Sequence, residues 1–255
     1  MKRKKEKAMP KFFVKDNQIK DQYINIINDD INHIKNVLRL NKEDYIQICN
    51  SDTGKNYKAK IEEINQEFIK CKIEEILNQN NESNVCIHIY QGLPKADKME
   101  LIIQKCTELG VQKIIPVEME RSIVKINDKD KQKKIERWQK IAEVASKQSG
   151  RDKILQVENI LDFKNITDMI ENYDAFIVTY EKEEINTLKN ELIKLKCIEN
   201  PKIAVLIGPE GGIDLKEIEI LKTKNAKIIT LGKRILRTET VALIVSGIIN
   251  YELEN

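Results

Sequence analysis

No two of the five cysteines, Cys49, Cys71, Cys86, Cys106 and Cys197, stand two to four residues apart. A zinc ligand pair needs that spacing, so no metal site is expected. No apolar run approaches the ~20 residues of a membrane-spanning helix, and the basic start of the chain has no apolar stretch behind it, so neither a membrane protein nor a secretion signal is predicted. The expectation is a reduced, cytoplasmic protein. Bulk charge is also missing: the net charge is +3, and residues 2–7 (Lys-Arg-Lys-Lys-Glu-Lys) hold five cations and one carboxylate. That segment reads as a solvated tail, as sequence upstream of a start at Met9, or as an RNA-touching arm. Affinity for nucleic acid must come from local patches, and residues 91–153 supply one, with 15 Lys/Arg against 10 Asp/Glu. Internal repeats are absent. Only His33 and His88 carry imidazoles, one in the N-terminal part and one inside a strand-like run, and both read as packed side chains rather than as a base.

What is present is a globular composition, 41% hydrophobic over 255 residues, enough for one large domain or two small ones. Residues 9–80 hold short strand-like runs, Lys11–Val14, Tyr23–Ile27, Tyr45–Cys49, Tyr57–Ile64 and Phe68–Ile76, broken by turn signals and one helical piece, Ile31–Leu40. This predicts a small β-barrel. The polar run Asn78–Asn84 is read as a linker. From residue 85 to 255, strands alternate with helices, which predicts α/β architecture with a mostly parallel sheet. The strands are Val85–Gln91, Ile114–Val117, Ala175–Tyr180, Lys202–Gly208 and Lys227–Leu231. The helices are Asp97–Leu109, Asp130–Ser149, Glu183–Leu195, Leu215–Lys224 capped by Asp214, and one capped by Thr238 running to about Leu253.

Three loops carry candidate chemistry. Ile207-Gly208-Pro209-Glu210-Gly211-Gly212 lies between a buried strand and a capped helix, where glycines let a backbone approach a ligand; an ordinary tight turn explains it equally well. Its spacing is neither a dinucleotide fingerprint nor a Walker A loop, and Pro209 removes an amide donor from any phosphate cradle. Leu231–Thr240 crowds a cation, a carboxylate and two hydroxyls at a helix start. There Thr238 reads first as a cap and Arg237 as a partner for Glu239. Two ligand-ready loops after adjacent strands of a parallel sheet nevertheless mark the usual binding edge of α/β proteins. In Gln91–Lys98, Lys95 and Lys98 are candidate phosphate grips and Asp97 a helix cap. Arg121-Ser122 and Ser149-Gly150-Arg151 end other elements and add to the basic surface.

Taken in order, these segments resemble a known family. The matching stretches are Pro10–Val14, His33–Arg39, Leu93-Pro94-Lys95 with Asp97-Lys98, Gln104-Lys105 with Thr107–Gly110, Arg121-Ser122, Glu136-Arg137-Trp138, Gln148–Arg151, Ile207–Gly212, and Gly232 with Arg234–Thr240. The chain resembles the 16S rRNA (uridine-N3) methyltransferases, the ribosomal RNA small subunit methyltransferase E family of the knotted SPOUT superfamily. It departs from the family at Asn32, often a second His; at Glu43 and Ala96, where Gly is common; and at Val241, usually Ala, beside the expected cofactor.

The resemblance implies a PUA-like RNA-binding β-barrel over 9–80 and a SPOUT domain with a C-terminal trefoil knot over 85–255. It implies S-adenosylmethionine (AdoMet) as cofactor, held by Thr179, Tyr180 and Glu181, by Leu206, Ile207, Gly208, Glu210 and Gly211, and by Leu231, Gly232, Ile235 and Leu236. Arg237, Glu239 and Thr240 become the catalytic candidates. Lys11, Arg39, Lys95, Lys98, Arg121 and Arg151 become the RNA contacts. The implied partners are 16S rRNA in the small ribosomal subunit and a second copy of the chain, docked through the apolar last helix that carries Val241, Ala242, Ile244, Val245, Ile248 and Ile249. Three other readings make different predictions: a nucleotide-binding enzyme should bind nucleotide and not AdoMet, an assembly factor should bind RNA without methyl transfer, and a related methyltransferase should label another RNA.

Overall fold

The computed structural model describes residues 9–78 and 80–254; the basic segment 2–7 lies outside them. The described residues form two compact units.

The first unit runs to Glu82 and takes in Gly150–Lys153. Its strands are β1 (Lys11–Val14), β2 (Ile19–Lys20), β3 (Tyr23–Ile26), β4 (Tyr45–Asn50), β5 (Asn56–Ile64) and β6 (Ile69–Leu77). They make one sheet in the order β1-β4-β5-β6-β3-β2, antiparallel except for the β1–β4 pair. Alternate residues such as Phe12, Val14, Ile46, Ile48, Ala59 and Ile61 are buried, as period-2 patterning dictates. Two register shifts between β5 and β6 bend the sheet, which curls into a half-barrel; among the described residues β1 and β2 do not pair to close it. The expected helical piece is a single turn, α1 (Asp29–Asn32), running on as a π-turn over His33–Val37 that buries Ile34. Gly150–Lys153 belongs to this unit through charge. The Asp152 carboxylate pairs with Lys11 and accepts from Asn56 Nδ2 at 2.8 Å and Asn81 N at 2.6 Å, and Arg151 pairs with Glu82 at 2.5 Å.

The second unit holds Ser83–Ser149 and Ile154 onward. In chain order it contains β7 (Cys86–Gly92), α2 (Lys98–Glu108), β8 (Lys113–Glu118), α3 (Asp128–Gln148), β9 (Gln156–Val157), β10 (Leu161–Asp162), α4 (Phe163–Ile166), β11 (Ala175–Thr179), α5 (Leu188–Leu195), β12 (Lys202–Ile207), α6 (Leu215–Thr223), β13 (Lys227–Ile229) and α7 (Thr238–Leu253). Every strand pair is parallel, in the order β10-β8-β7-β12-β11-β13, with β9 also on β8. The apolar run of β12 serves two cores at once: Ile203, Val205 and Ile207 face α2, α3, α5 and α7, while Ala204 and Leu206 face α4 and α6. That is why the run is continuous rather than alternating. Each fully buried Ile or Leu contributes about 1.5–3 kcal/mol.

In the second unit four helix starts differ from the sequence expectation, α3 among them, which opens at Asp128 rather than Asp130. α5 begins at Leu188 rather than Glu183, because Thr187 caps it and the Glu183 carboxylate instead accepts from Ile185 N and Asn186 N, each at 3.0 Å. Asp97 occupies the N-cap of α2 without a side-chain cap bond. Thr238 is the first residue of α7 rather than its cap, and its hydroxyl is used elsewhere. Asp214 does cap α6, in a capping box with Glu217. Because all strands run the same way, the loops after β7, β11, β12 and β13 open at one end of the sheet.

Candidate active site

A cleft of about 510 Å3 lies at that end, within the range of about 300–1,000 Å3 for small-molecule sites. The β11 exit supplies Thr179, Tyr180 and Glu181, and the β12–α6 loop supplies Ile207, Gly208, Glu210 and Gly211. The segment after β13 supplies Leu231, Gly232, Ile235, Leu236 and Arg237. Leu206 is the one cofactor candidate away from the lining: its side chain is fully buried in the sheet, and its carbonyl accepts from Thr179 Oγ1 at 3.3 Å. Ile235 is 85% exposed, so its side chain forms rim rather than wall. Pro209 and Gly212 of the expected β12–α6 loop and Val241, expected beside the cofactor, also line the cleft, as do Ile213 and Thr230, which the sequence did not single out.

Close approach explains one glycine and backbone conformation another. A Cβ on Gly92, at the end of β7, would sit 2.6 Å from Pro209 Cδ, so the β12–α6 loop presses directly on the β7 backbone. Gly232 has φ +107° and a Cβ there would meet nothing within 4 Å, while its own N–H donates to Thr230 Oγ1 at 3.2 Å and so pins the turn.

The charges pair in a way the sequence did not indicate. Lys98 Nζ lies 2.9 Å from Glu210 Oε1 and 3.3 Å from Glu239 Oε2. The hydrogen bond to Glu210 raises the Lys98 ammonium above its ordinary value. Burial alone would raise the Glu210 carboxyl, but the Lys98 hydrogen bond and backbone donors including Lys95 N–H outweigh it and hold the group low. Glu239 therefore has Lys98, not Arg237, as its counter-charge. Arg237, Lys233 and Arg234 are exposed and carry no ion pair with the described residues. Thr240 sits in the same first turn of α7. Arg121 reaches Asp214 at 3.2 Å and the Gly211 carbonyl at 3.2 Å, bracing the β12–α6 loop from outside. Below the cleft, Gln91 Nε2 donates to Thr238 Oγ1 at 2.8 Å, and that hydroxyl donates to Gly208 O at 2.7 Å.

The six expected RNA contacts divide three ways. Arg39 and Lys95 are exposed. Lys98 and Arg121 are partly exposed but engaged with carboxylates. Lys11 and Arg151 have side chains 5% exposed and paired with Asp152 and Glu82. His88, as expected of a packed side chain, is buried, with Nδ1 2.9 Å from Tyr173 Oη. No helix among the described residues is long and apolar enough to cross a membrane, and no cluster among them is suited to a metal ion.

A cleft at the carboxyl edge of an all-parallel sheet is a ligand site of the general α/β kind, and here it lies in an RNA methyltransferase domain. Residues 81–250 match the RNA methyltransferase domain and residues 26–74 the RNA methyltransferase PUA domain. The chain is similar to ribosomal RNA small subunit methyltransferase E of Bacillus subtilis, 37% identical with 90% of each chain covered. It is also similar to that of Aquifex aeolicus, 32% identical over 87% of this chain and 92% of the relative. The crystal structure of the Neisseria gonorrhoeae enzyme bound to S-adenosyl methionine is 28% identical, covers 95% of this chain and 97% of that one, and superposes with a TM-score of 0.84. The chain belongs to the ribosomal RNA small subunit methyltransferase E family.

Proposed function

We propose that this protein methylates N3 of a uridine in the 16S rRNA of the small ribosomal subunit, with AdoMet as methyl donor. The observation that carries the reading is the cleft between Gly208–Gly211 and Leu231–Arg237, with an unpaired guanidinium at its rim. The residues fit the cofactor: Ile207, Leu231 and Leu236 offer apolar walls, and Gly232, with no side chain and open space around it, lets a ligand approach the loop closely. When bound, AdoMet supplies a methyl group activated by its sulfonium sulfur.

The chain's own residues align and neutralise. Loss of the N3 proton spreads negative charge over the uracil ring and its carbonyl oxygens; that charge would be consumed as N3 bonds to the methyl carbon and the carbon–sulfur bond breaks, leaving S-adenosylhomocysteine. Arg237, free of a carboxylate partner, stabilises that charge. Glu239, with Lys98 as counter-charge, and Thr240 on the same turn orient the base and relay its proton. Arg39 and Lys95, with Lys233 and Arg234, give salt-dependent phosphate contacts. A trefoil knot in the last third of the chain, a cytoplasmic location, and a homodimer formed through α7 belong to the same proposal. Ile244 and Ile248 on α7 are each 38% exposed and Tyr251 is 74% exposed, an apolar surface suited to a second copy. The test is labelled AdoMet with small subunits lacking the modification, followed by mapping of the labelled base. Label at uridine N3 is expected; no label in the rRNA refutes the proposal, and label elsewhere changes the substrate.

A further inference from the structure

We propose that Gln91 is a positioning residue for methyl transfer: its amide directs the Thr238 hydroxyl onto the Gly208 carbonyl and so locks the first turn of α7 to the β12–α6 loop. The inference rests on reading the cleft as the AdoMet site.

Gln91 is fully buried near the end of β7. Its Nε2 donates to Gly92 O at 2.9 Å and to Thr238 Oγ1 at 2.8 Å, which uses both amide protons. A carbonyl can only accept, so Gly92 O sets which way the amide faces. Thr238 Oγ1, having accepted, has one proton to give, and Gly208 O receives it at 2.7 Å. Three segments are thereby joined in one directional chain: the end of β7, the start of α7 and the start of the β12–α6 loop.

The other end of the amide carries independent weight. Gln91 Oε1 is buried and has no hydrogen-bond partner. Stranding an acceptor destabilises the fold, and an apolar side chain of similar volume would avoid it. Packing therefore does not account for a glutamine here, whereas the donor half does. Gly208 opens the loop that walls the cleft, and Thr238 precedes Glu239 and Thr240 and follows Arg237. The contact of Gly92 with Pro209 sets the spacing beneath them, and the Gln91 amide sets the angle. Fixing two walls of a site to each other from below is how buried groups hold a productive geometry.

The test is Gln91→Met, which keeps the length and removes the donor, assayed as purified full chain. AdoMet affinity is measured by calorimetry, kcat and KM on small subunits with saturating AdoMet, and unfolding without ligand. The expected result is weaker AdoMet binding and a kcat lower by about ten- to a hundred-fold, because small misplacements are that costly. KM for the subunit should stay unchanged, and the fold intact. Thr238→Val should reproduce the loss, Thr238→Ser should recover affinity relative to Val, and Gln91→Met with Thr238→Val should cost no more than either alone. Wild-type affinity and kcat in Gln91→Met would overturn the proposal. If that variant does not fold, the Val and Ser pair at position 238 decides: equal behaviour of the two overturns it. A wild-type chain that binds AdoMet but leaves small-subunit RNA unlabelled refutes the substrate alone, and the affinity comparisons still decide Gln91. A wild type that binds no AdoMet refutes both.

Discussion

Lys98 Nζ lies 2.9 Å from Glu210 Oε1, joining the first turn of α2 to the loop that walls the cleft. Lysine at the mouth of an RNA-modifying site is naturally read as a phosphate grip. Here the ammonium is committed to Glu210 and Glu239, so its loss should be felt by the cofactor loops.

Lys98→Met is accordingly expected to weaken AdoMet binding and to slow turnover by roughly ten- to a hundred-fold through loop misplacement. The salt dependence of RNA binding should stay unchanged. Lys95→Ala should do the opposite, leaving AdoMet affinity alone and reducing the salt slope of RNA binding by about one. Calorimetry and filter binding over a salt series separate the two.

Arg237→Ala should bind AdoMet as the wild type does and lose about a hundred- to a thousand-fold in kcat, the scale of removing one donor from developing negative charge. A normal methylation rate in this variant would remove Arg237 from the mechanism.

Lys11→Met should act on stability rather than on RNA. It leaves the Asp152 carboxylate buried without its cation, a defect that costs about 3–5 kcal/mol when one partner of a buried pair is lost. Urea unfolding of the first unit reads the loss, while the salt slope of RNA binding should not move.

His88 gives a pH dependence. Burial, with help from Lys113 and Lys202, lowers its imidazole from 6.5 to about 4. In the folded protein the ring resists protonation, while in the unfolded chain it takes the proton readily. Stability from this residue is therefore intact above pH 6.5 and falls as pH drops from there toward 4, by at most about 3 kcal/mol. His88→Gln should flatten that part of a denaturant series run between pH 7 and pH 4.5; an unchanged slope would place the titration elsewhere.

Much of this was legible along the chain. Local rules act between near neighbours, so alternation in Tyr45–Cys49, the 3.6-residue period of Met99, Ile102, Ile103 and Cys106, and the Asp214 cap each disclosed an element. The loops at Ile207–Gly212 and Leu231–Thr240 were visible as ligand-ready for the same reason. Helix starts were less so. Glu183 and Thr238 both look like helix openers, but each spends its side chain on a partner that sequence spacing does not name.

The chain's own pattern determined the type and order of its elements, because these follow from periodicity and turn chemistry over a few residues. Only the tertiary structure decided which charges are spent and which are free. Lys98 holds Glu239 and leaves Arg237 unpaired, Lys11 and Arg151 turn inward, and Gln91 reaches Thr238 from beneath the cleft. Each of these pairings joins segments distant in sequence, and electrostatic and hydrogen-bond energies depend on distance in space, so no spacing along the chain specifies them.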